Sequence, residues 1–279
     1  MQLDLPTLCL LHADPELNEK LRAWLRSSYR IRQFGDWHEL HESVRRFHPN
    51  SIALVDPYKD PKSDGTPSLH LRGLLSAFPT SPIIAACRFT PERVADAALV
   101  AEWGVAEILD LPRELTSVAL ERRLNSAAGF RMRSVLSHAF PGVLPSRTRA
   151  LLEIAGDVVA RGGTAPDFAA RLNTGERTLN RWCAKMHLPE PRRLLAWLRI
   201  LLAADMLSEG DRSVAAVARA CGYASDSSLR NAFRMVGKTT PADVKTKGFR
   251  TTVAIPFARE LSDIREQPDT ATRAKSYLN

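Results

Sequence analysis

Short apolar runs alternate with helical periodicity over the first half of the chain. Leu8 to Leu11 form one such run, ending in His12-Ala13-Asp14-Pro15. Leu17, Leu21, Trp24 and Leu25 follow at i, i+4, i+7 and i+8, which is the spacing of one helix face. Two further runs, Ser51 to Val55 and Pro82 to Cys87, end at Asp56-Pro57 and Arg88-Phe89-Thr90. A helical stretch through Val94, Ala98 and Ala101 stops at Gly104, and a fourth run spans Ala106 to Leu109. Continuous apolar strands alternating with helices predict a parallel sheet covered on both faces, so residues 1–139 read as an α/β domain closed by a helix from Glu114 to about Ala139.

Phe140-Pro141-Gly142 and Leu144-Pro145-Ser146 break the pattern and mark a linker over residues 140–146. Residues 147–250 show only helical periodicity and predict an all-α domain. The polar stretch 251–279 is expected to be loosely ordered. Two domains suit a chain of 279 residues, which exceeds the usual size of one core.

Within the second domain one arrangement occurs twice. Thr164 with Asp167 three residues on is a helix start, Phe168 and Leu172 give an apolar face, and Asn173-Thr174-Gly175 turns the chain. In the helix that follows, Leu179, Trp182, Cys183 and Met186 fall on one inward face, leaving Arg177, Thr178, Asn180, Arg181 and Lys185 outside. About 50 residues later Ser213 opens a helix with Val214, Val217, Ala218 and Cys221 inward, and Gly222-Tyr223-Ala224-Ser225 turns. Leu229, Ala232, Phe233 and Val236 then repeat the inward spacing, with Asp226, Ser227, Arg230, Asn231 and Arg234 around them. Between the two units Pro191 opens a helix through Leu194, Leu198, Leu202 and Met206. Eighteen residues at 1.5 Å each span roughly 27 Å, enough to hold two reading helices about one DNA turn apart.

Charge sharpens this picture. The formal net charge is +8, and residues 141–250 contain 18 Lys+Arg against 10 Asp+Glu, so the remaining 21 of each sign cancel. All the excess lies in the helical half, where a localised basic surface suits a polyanion. A helix exposing Arg beside Asn is equipped to read base edges, since Arg pairs bidentately with guanine and Asn with adenine.

Other chemistry is thinly represented. Cys9, Cys87, Cys183 and Cys221 are scattered among apolar neighbours without CxxC spacing, and read as reduced core residues. No GxGxxG follows a strand and no Walker-type glycine loop occurs, so no catalytic set, metal site or cofactor is expected, and the chain does not read as an enzyme. No apolar run reaches the roughly 18 residues of a bilayer span, and the N-terminus lacks the features of a signal peptide, so a cytoplasmic location is expected and a membrane partner is not.

The helical domain resembles the AraC/XylS family of transcription regulators. The resemblance rests on Leu179, Arg181, Pro191, Arg199-Ile200, Ala203 and Met206-Leu207, then on SVAAVARACGYASDSSLRNAF and Thr240-Pro241. It implies a double helix-turn-helix binding promoter or operator DNA, with the first reading helix leading, and RNA polymerase as a further partner. Two positions depart from the family pattern: Asn231 replaces the usual Arg, and Gly237-Lys238 displaces by one residue the glycine before the Thr-Pro step.

The α/β domain resembles a response-regulator receiver with the flavodoxin-like sheet of that family. The resemblance implies a phosphoacceptor at Asp56, but His12-Ala13 stand for the acidic pair, Cys87 for the hydroxyl residue and Leu111-Pro112 for Lys-Pro. Mg²⁺ needs carboxylate oxygens, and phosphoryl transfer needs that ion with a nearby cation. The domain therefore reads as a pseudo-receiver in which Asp56 is a degenerate phosphoacceptor. By the same resemblance a homodimer is expected, with Leu115, Val118 and Leu124 offered near the last strand and helix. The alternative is an adaptor that acts through protein contacts and binds DNA weakly and without specificity.

Overall fold

A computed structural model describes residues 5–46, 48, 51–60, 65–88, 90–111, 113–140, 144–209 and 212–266. The chain divides into two compact units, 1–134 with 209–212 and 135–208 with 213–279.

Unit 1 runs β1 (Thr7–Leu11), α1 (Pro15–Leu25), β2 (Arg30–Gln33), α2 (Trp37–Val44), β3 (Ile52–Val55), α3 (Leu69–Ala77), β4 (Ile83–Cys87), α4 (Val94–Glu102), β5 (Glu107–Asp110) and α5 (Ser117–Ala128). The sheet is parallel throughout, in the order β2-β1-β3-β4-β5. This is the doubly wound, flavodoxin-like order, with its switch point between β1 and β3. The twofold alternation of each strand supplies both faces. Cys9, Leu11, Ala53, Val55, Ile83 and Ala85 meet α2, α3 and Val100 of α4 on one side. Leu8, Leu10, Ile52, Leu54, Ile84 and Ala86 meet α1 and α5 on the other.

The helix expected from Glu114 to Ala139 is two helices, α5 and α6 (Phe130–Ala139), separated at Gly129. The division between units falls inside α6, five residues before the expected linker, of which residues 141–143 lie outside the described part.

Unit 2 is helical: α7 (Ser146–Ala160), α8 (Ala165–Arg171), α9 (Glu176–Lys185), α10 (Pro191–Ser208), α11 (Val214–Ala220), α12 (Asp226–Ala232), α13 (Pro241–Phe249) and α14 (Ile255–Glu266). A π turn, Phe233–Gly237, extends α12, and a second, Arg250–Ala254, joins α13 to α14. α10 is the spine, in contact with α7, α8, α9, α11, α12 and α13. Its side chains from Ile200 to Leu207 are all buried, so this long helix is held by packing on every side rather than by propensity.

The expectation of a loose tail from 251 is corrected by α14. Its polar residues hide an apolar stripe, and Phe257 and Leu261 are buried. Phe257 stacks on Trp197 of α10 at 5.2 Å and meets Phe140 edge-on at 5.4 Å. Arg193 donates through Nε and Nη2 to the two carboxylate oxygens of Glu260, each at 2.6 Å. Residues 267–279 of the expected tail lie outside the described part.

Candidate nucleic-acid interface

The two helix-turn-helix units are built alike at their turns. α8 starts from a capping box in which the Thr164 amide and hydroxyl both donate to Asp167 Oδ2 at 2.7 Å. It ends with Asn173 N donating to Ala170 O and Thr174 N to Ala169 O, both at 3.0 Å. α11 ends the same way: Gly222 N donates to Arg219 O at 3.2 Å, and Tyr223 N to Ala218 O at 2.9 Å. This is the Schellman stop, and it needs a left-handed residue, supplied by Asn173 (φ 49°) and Gly222 (φ 76°). The second helices of the two units, α9 and α12, are capped by Gly175 and by Ser225, whose hydroxyl accepts from the Ser228 amide at 3.1 Å.

Leu179, Leu229 and Phe233 are fully buried and pin α9 and the α12 extension to the core. Trp182 and Met186, expected on the inward face, are only half-buried. On the outer side of α9 the side chains of Arg177, Asn180, Arg181 and Lys185 are exposed and Thr178 is half-buried. In the second unit Ser227, Arg230, Asn231 and Arg234 are exposed and Asp226 is half-buried. The two sets differ electrostatically. Arg177, Arg181, Lys185 and Arg234 have no ion-pair partner among the described residues, whereas Arg230 Nε lies 3.6 Å from Asp226 Oδ2.

The displaced glycine has a physical explanation. Gly237 is buried, and a Cβ there would lie 3.1 Å from Ile200 Cδ1 and 3.3 Å from Thr239 Cγ2. A side chain at 237 would therefore crowd the tip of Ile200 in α10, and Lys238 takes the left-handed position that follows (φ 52°). Thr240 caps α13, its hydroxyl accepting from Asp243 N at 3.2 Å, with Pro241 as the first helical residue.

In unit 1 the residues at the carboxyl ends of the strands line a cavity of about 270 Å³ that includes His12, Asp14, Asp56, Cys87 and Leu111. His12 Nδ1 accepts from the Asp14 amide at 3.1 Å, which leaves the ring proton on Nε2 to donate to Ala86 O at 3.2 Å. Burial holds the His12 pKa below its ordinary value, against the opposing pull of Asp56, the Ala86 carbonyl and Asp14. The residue in the place of an acidic pair is thus a neutral imidazole. Asp14 Oδ1 is committed to capping α1 through Glu16 N at 2.9 Å and Leu17 N at 3.3 Å. Asp56 Oδ1 accepts from Tyr58 N at 2.9 Å, and the Tyr58 hydroxyl donates to Asp96 at 2.8 Å beneath the Arg93 guanidinium. The Cys87 thiol is pushed up to about 12 by burial and by Asp56. Pro112 lies outside the described residues. Among the described residues no group of three or more His, Cys, Asp or Glu side chains is placed to hold a metal ion, and no helix is long and apolar enough to cross a membrane.

Residues 168–247 match the Helix-turn-helix domain family. The C-terminal unit carries a helix-turn-helix domain. Such a domain is a DNA-binding module, and its presence indicates a DNA-binding regulator. No curated protein matches the chain. Similar solved structures include full-length FixJ from B. japonicum, 14% identical over 84% of this chain and 98% of that one with a TM-score of 0.34. The response regulator StyR is 19% identical over 78% of this chain and 98% of its own, with a TM-score of 0.28. The fold of unit 1 stands on its own strand order, independently of these two likenesses.

Sequence reasoning placed the two helix-turn-helix units but missed the role of α14 and the partial exposure of Trp182. The signal for the first was present in Phe257 and Leu261, four apart in a polar stretch.

Proposed function

We propose that the chain is a sequence-specific transcription regulator of the AraC/XylS type that binds promoter or operator DNA through α9 and α12. The observation that carries this reading is the pair of like-built units on one buried spine, each presenting exposed Arg and Asn side chains. Arg177, Asn180, Arg181, Thr178 and Lys185 of the first unit lead. Asp226, Ser227, Arg230, Asn231 and Arg234 form the second set, weakened where Asp226 holds Arg230.

Unit 1 serves as a pseudo-receiver that phosphorylation does not control. Its neutral imidazole in the place of an acidic residue and the engagement of Asp14 Oδ1 in capping α1 favour that reading. Incubation with acetyl phosphate and Mg²⁺ should leave Asp56 unlabelled by mass spectrometry, and stoichiometric labelling would overturn the point. A homodimer is part of the proposal. Leu124 is in the core and Leu115 half-buried, but Val118 of α5 and Val94 and Leu99 of α4 are exposed on the two helices that flank β5. RNA polymerase is the further partner proposed for the DNA-bound state.

Alanine at Arg177 or Arg181 tests the reading of α9. Loss of a base contact costs about 1–3 kcal/mol and relaxes the sequence preference at one position. The adaptor reading draws on the Asp226–Arg230 pair, which leaves the second unit one free cation fewer. It requires binding that is insensitive to these substitutions and to sequence.

A further inference from the structure

Within unit 2 the start of α7, the end of α9 and the end of α14 enclose an open groove of about 480 Å³. Its apolar lining is the half-buried Trp182 and Met186 with the exposed Pro145, and Thr148 and His187 lie beside them. Its rim carries Arg147, Lys185 and Arg265, all exposed and none with an ion-pair partner among the described residues. Among the described residues no Asp or Glu lines it. The turn that shapes one wall is fixed, with His187 left-handed at φ 54° and Leu188 N donating to Cys183 O at 2.9 Å.

Charge and polarity narrow what fits. An uncharged hydrophobe would cover the indole and the thioether but leave three cations unanswered. A bare phosphate would answer the cations and leave the apolar lining wet. An apolar body with one carboxylate satisfies both, since guanidinium groups pair bidentately with carboxylates. The size lies within the roughly 300–1,000 Å³ of small-molecule sites. We propose that this groove binds a small apolar carboxylate, an aryl or medium-chain acid, with its body on Trp182 and Met186 and its carboxylate between Arg147 and Arg265. Binding itself does not depend on the regulator reading. Its consequence for DNA does, because Trp182, Lys185 and Met186 belong to the end of α9 and the residue after it.

The test is calorimetric titration of the full chain, without DNA, using 1-naphthoate, octanoate and the uncharged 1-naphthalenemethanol. One saturable site is expected for at least one acid, with the alcohol weaker by about tenfold or more. The double variant Arg147→Glu with Arg265→Glu should weaken acid binding by about tenfold or more at an unchanged melting temperature. Arg147→Gln with Arg265→Gln serves if the charge reversal disturbs folding. Trp182→Ala should weaken acid and alcohol alike. The proposal is overturned if neither acid saturates, if the alcohol binds as tightly as the acids, or if both double variants bind as the parent does. Loss of duplex binding in those variants, with no acid bound by the parent, would assign the cations to DNA phosphates and also overturn it. A saturable acid site in a protein that ignores DNA would leave the groove standing and sink only the regulator reading.

Discussion

Phe257→Ala probes the part of the molecule that the polar composition of the chain conceals most completely. The ring is fully buried, stacked on Trp197 at 5.2 Å and edge-on to Phe140 at 5.4 Å. Truncating such a phenylalanine costs about 3–5 kcal/mol, a range that already contains the ring-to-ring contributions. The loss falls on α14 and on the face of α10 it covers. At about 1.4 kcal/mol per factor of ten, amides of residues 255–266 should exchange at least ~100-fold faster in the variant. Arg193→Ala is the control. Its pair with Glu260 is short at 2.6 Å, but the guanidinium is 48% exposed, so its removal should cost under about 1 kcal/mol and speed exchange less than about fivefold. Hydrogen–deuterium exchange read by mass spectrometry on the full chain separates the two. Equal protection in Phe257→Ala and the parent, or an unprotected segment in the parent, would refute the packing argument and return 251–266 to the status of a loose polar tail.

The other predictions concern binding, backbone, pH and thiols. Arg181→Ala should weaken specific DNA binding by about 1–3 kcal/mol, and Arg230→Ala by less because Asp226 already shares that charge; fluorescence anisotropy on one operator measures both. Lys238→Gly should raise the unfolding free energy by about 0.5–1 kcal/mol in urea titrations, since it removes a left-handed penalty of roughly 1–2 kcal/mol and adds the smaller entropic cost of glycine. Because His12 is held below its ordinary value, the folded state binds fewer protons than the unfolded one. Its stabilising contribution is complete above the ordinary value near 6.5 and is lost as pH falls from there toward the folded value. Thermal melts should therefore drop between pH 7.5 and 5.5, and His12→Gln should flatten that drop. Burial pushes the Cys9 thiol up to about 12 and the Cys183 thiol to about 11, so native protein should react slowly with Ellman's reagent at pH 8 and release all four thiols once urea unfolds it. Rapid reaction of the folded chain would contradict the burial.

The central strands were legible because both faces of a covered parallel sheet need continuous apolar runs. β2 was not. Its Arg30-Ile31-Arg32-Gln33 is an edge strand whose side chains are exposed or half-buried, so the burial that writes a pattern into sequence is missing there. The break at Gly129 was hidden because α5 and α6 together read as one long periodic stretch, and glycine inside a helix is common enough to pass unnoticed. In unit 2 the second helices of the two units were visible from the spacing of Leu179 and Cys183, and of Leu229 and Phe233. Trp182 shared that spacing yet is half-buried, because periodicity gives the side of a helix and not how far its neighbours extend. The groove beside it was unreadable for the same reason: Arg147, Lys185 and Arg265 are brought together by three helices that are distant in sequence.

The most direct test of the regulator account is a selected-oligonucleotide binding profile of this 279-residue chain at two salt concentrations. The account predicts a recurring motif with two half-sites about 10 base pairs apart, bound with an affinity that falls steeply with salt. Weak binding with no recurring sequence at either salt would contradict it.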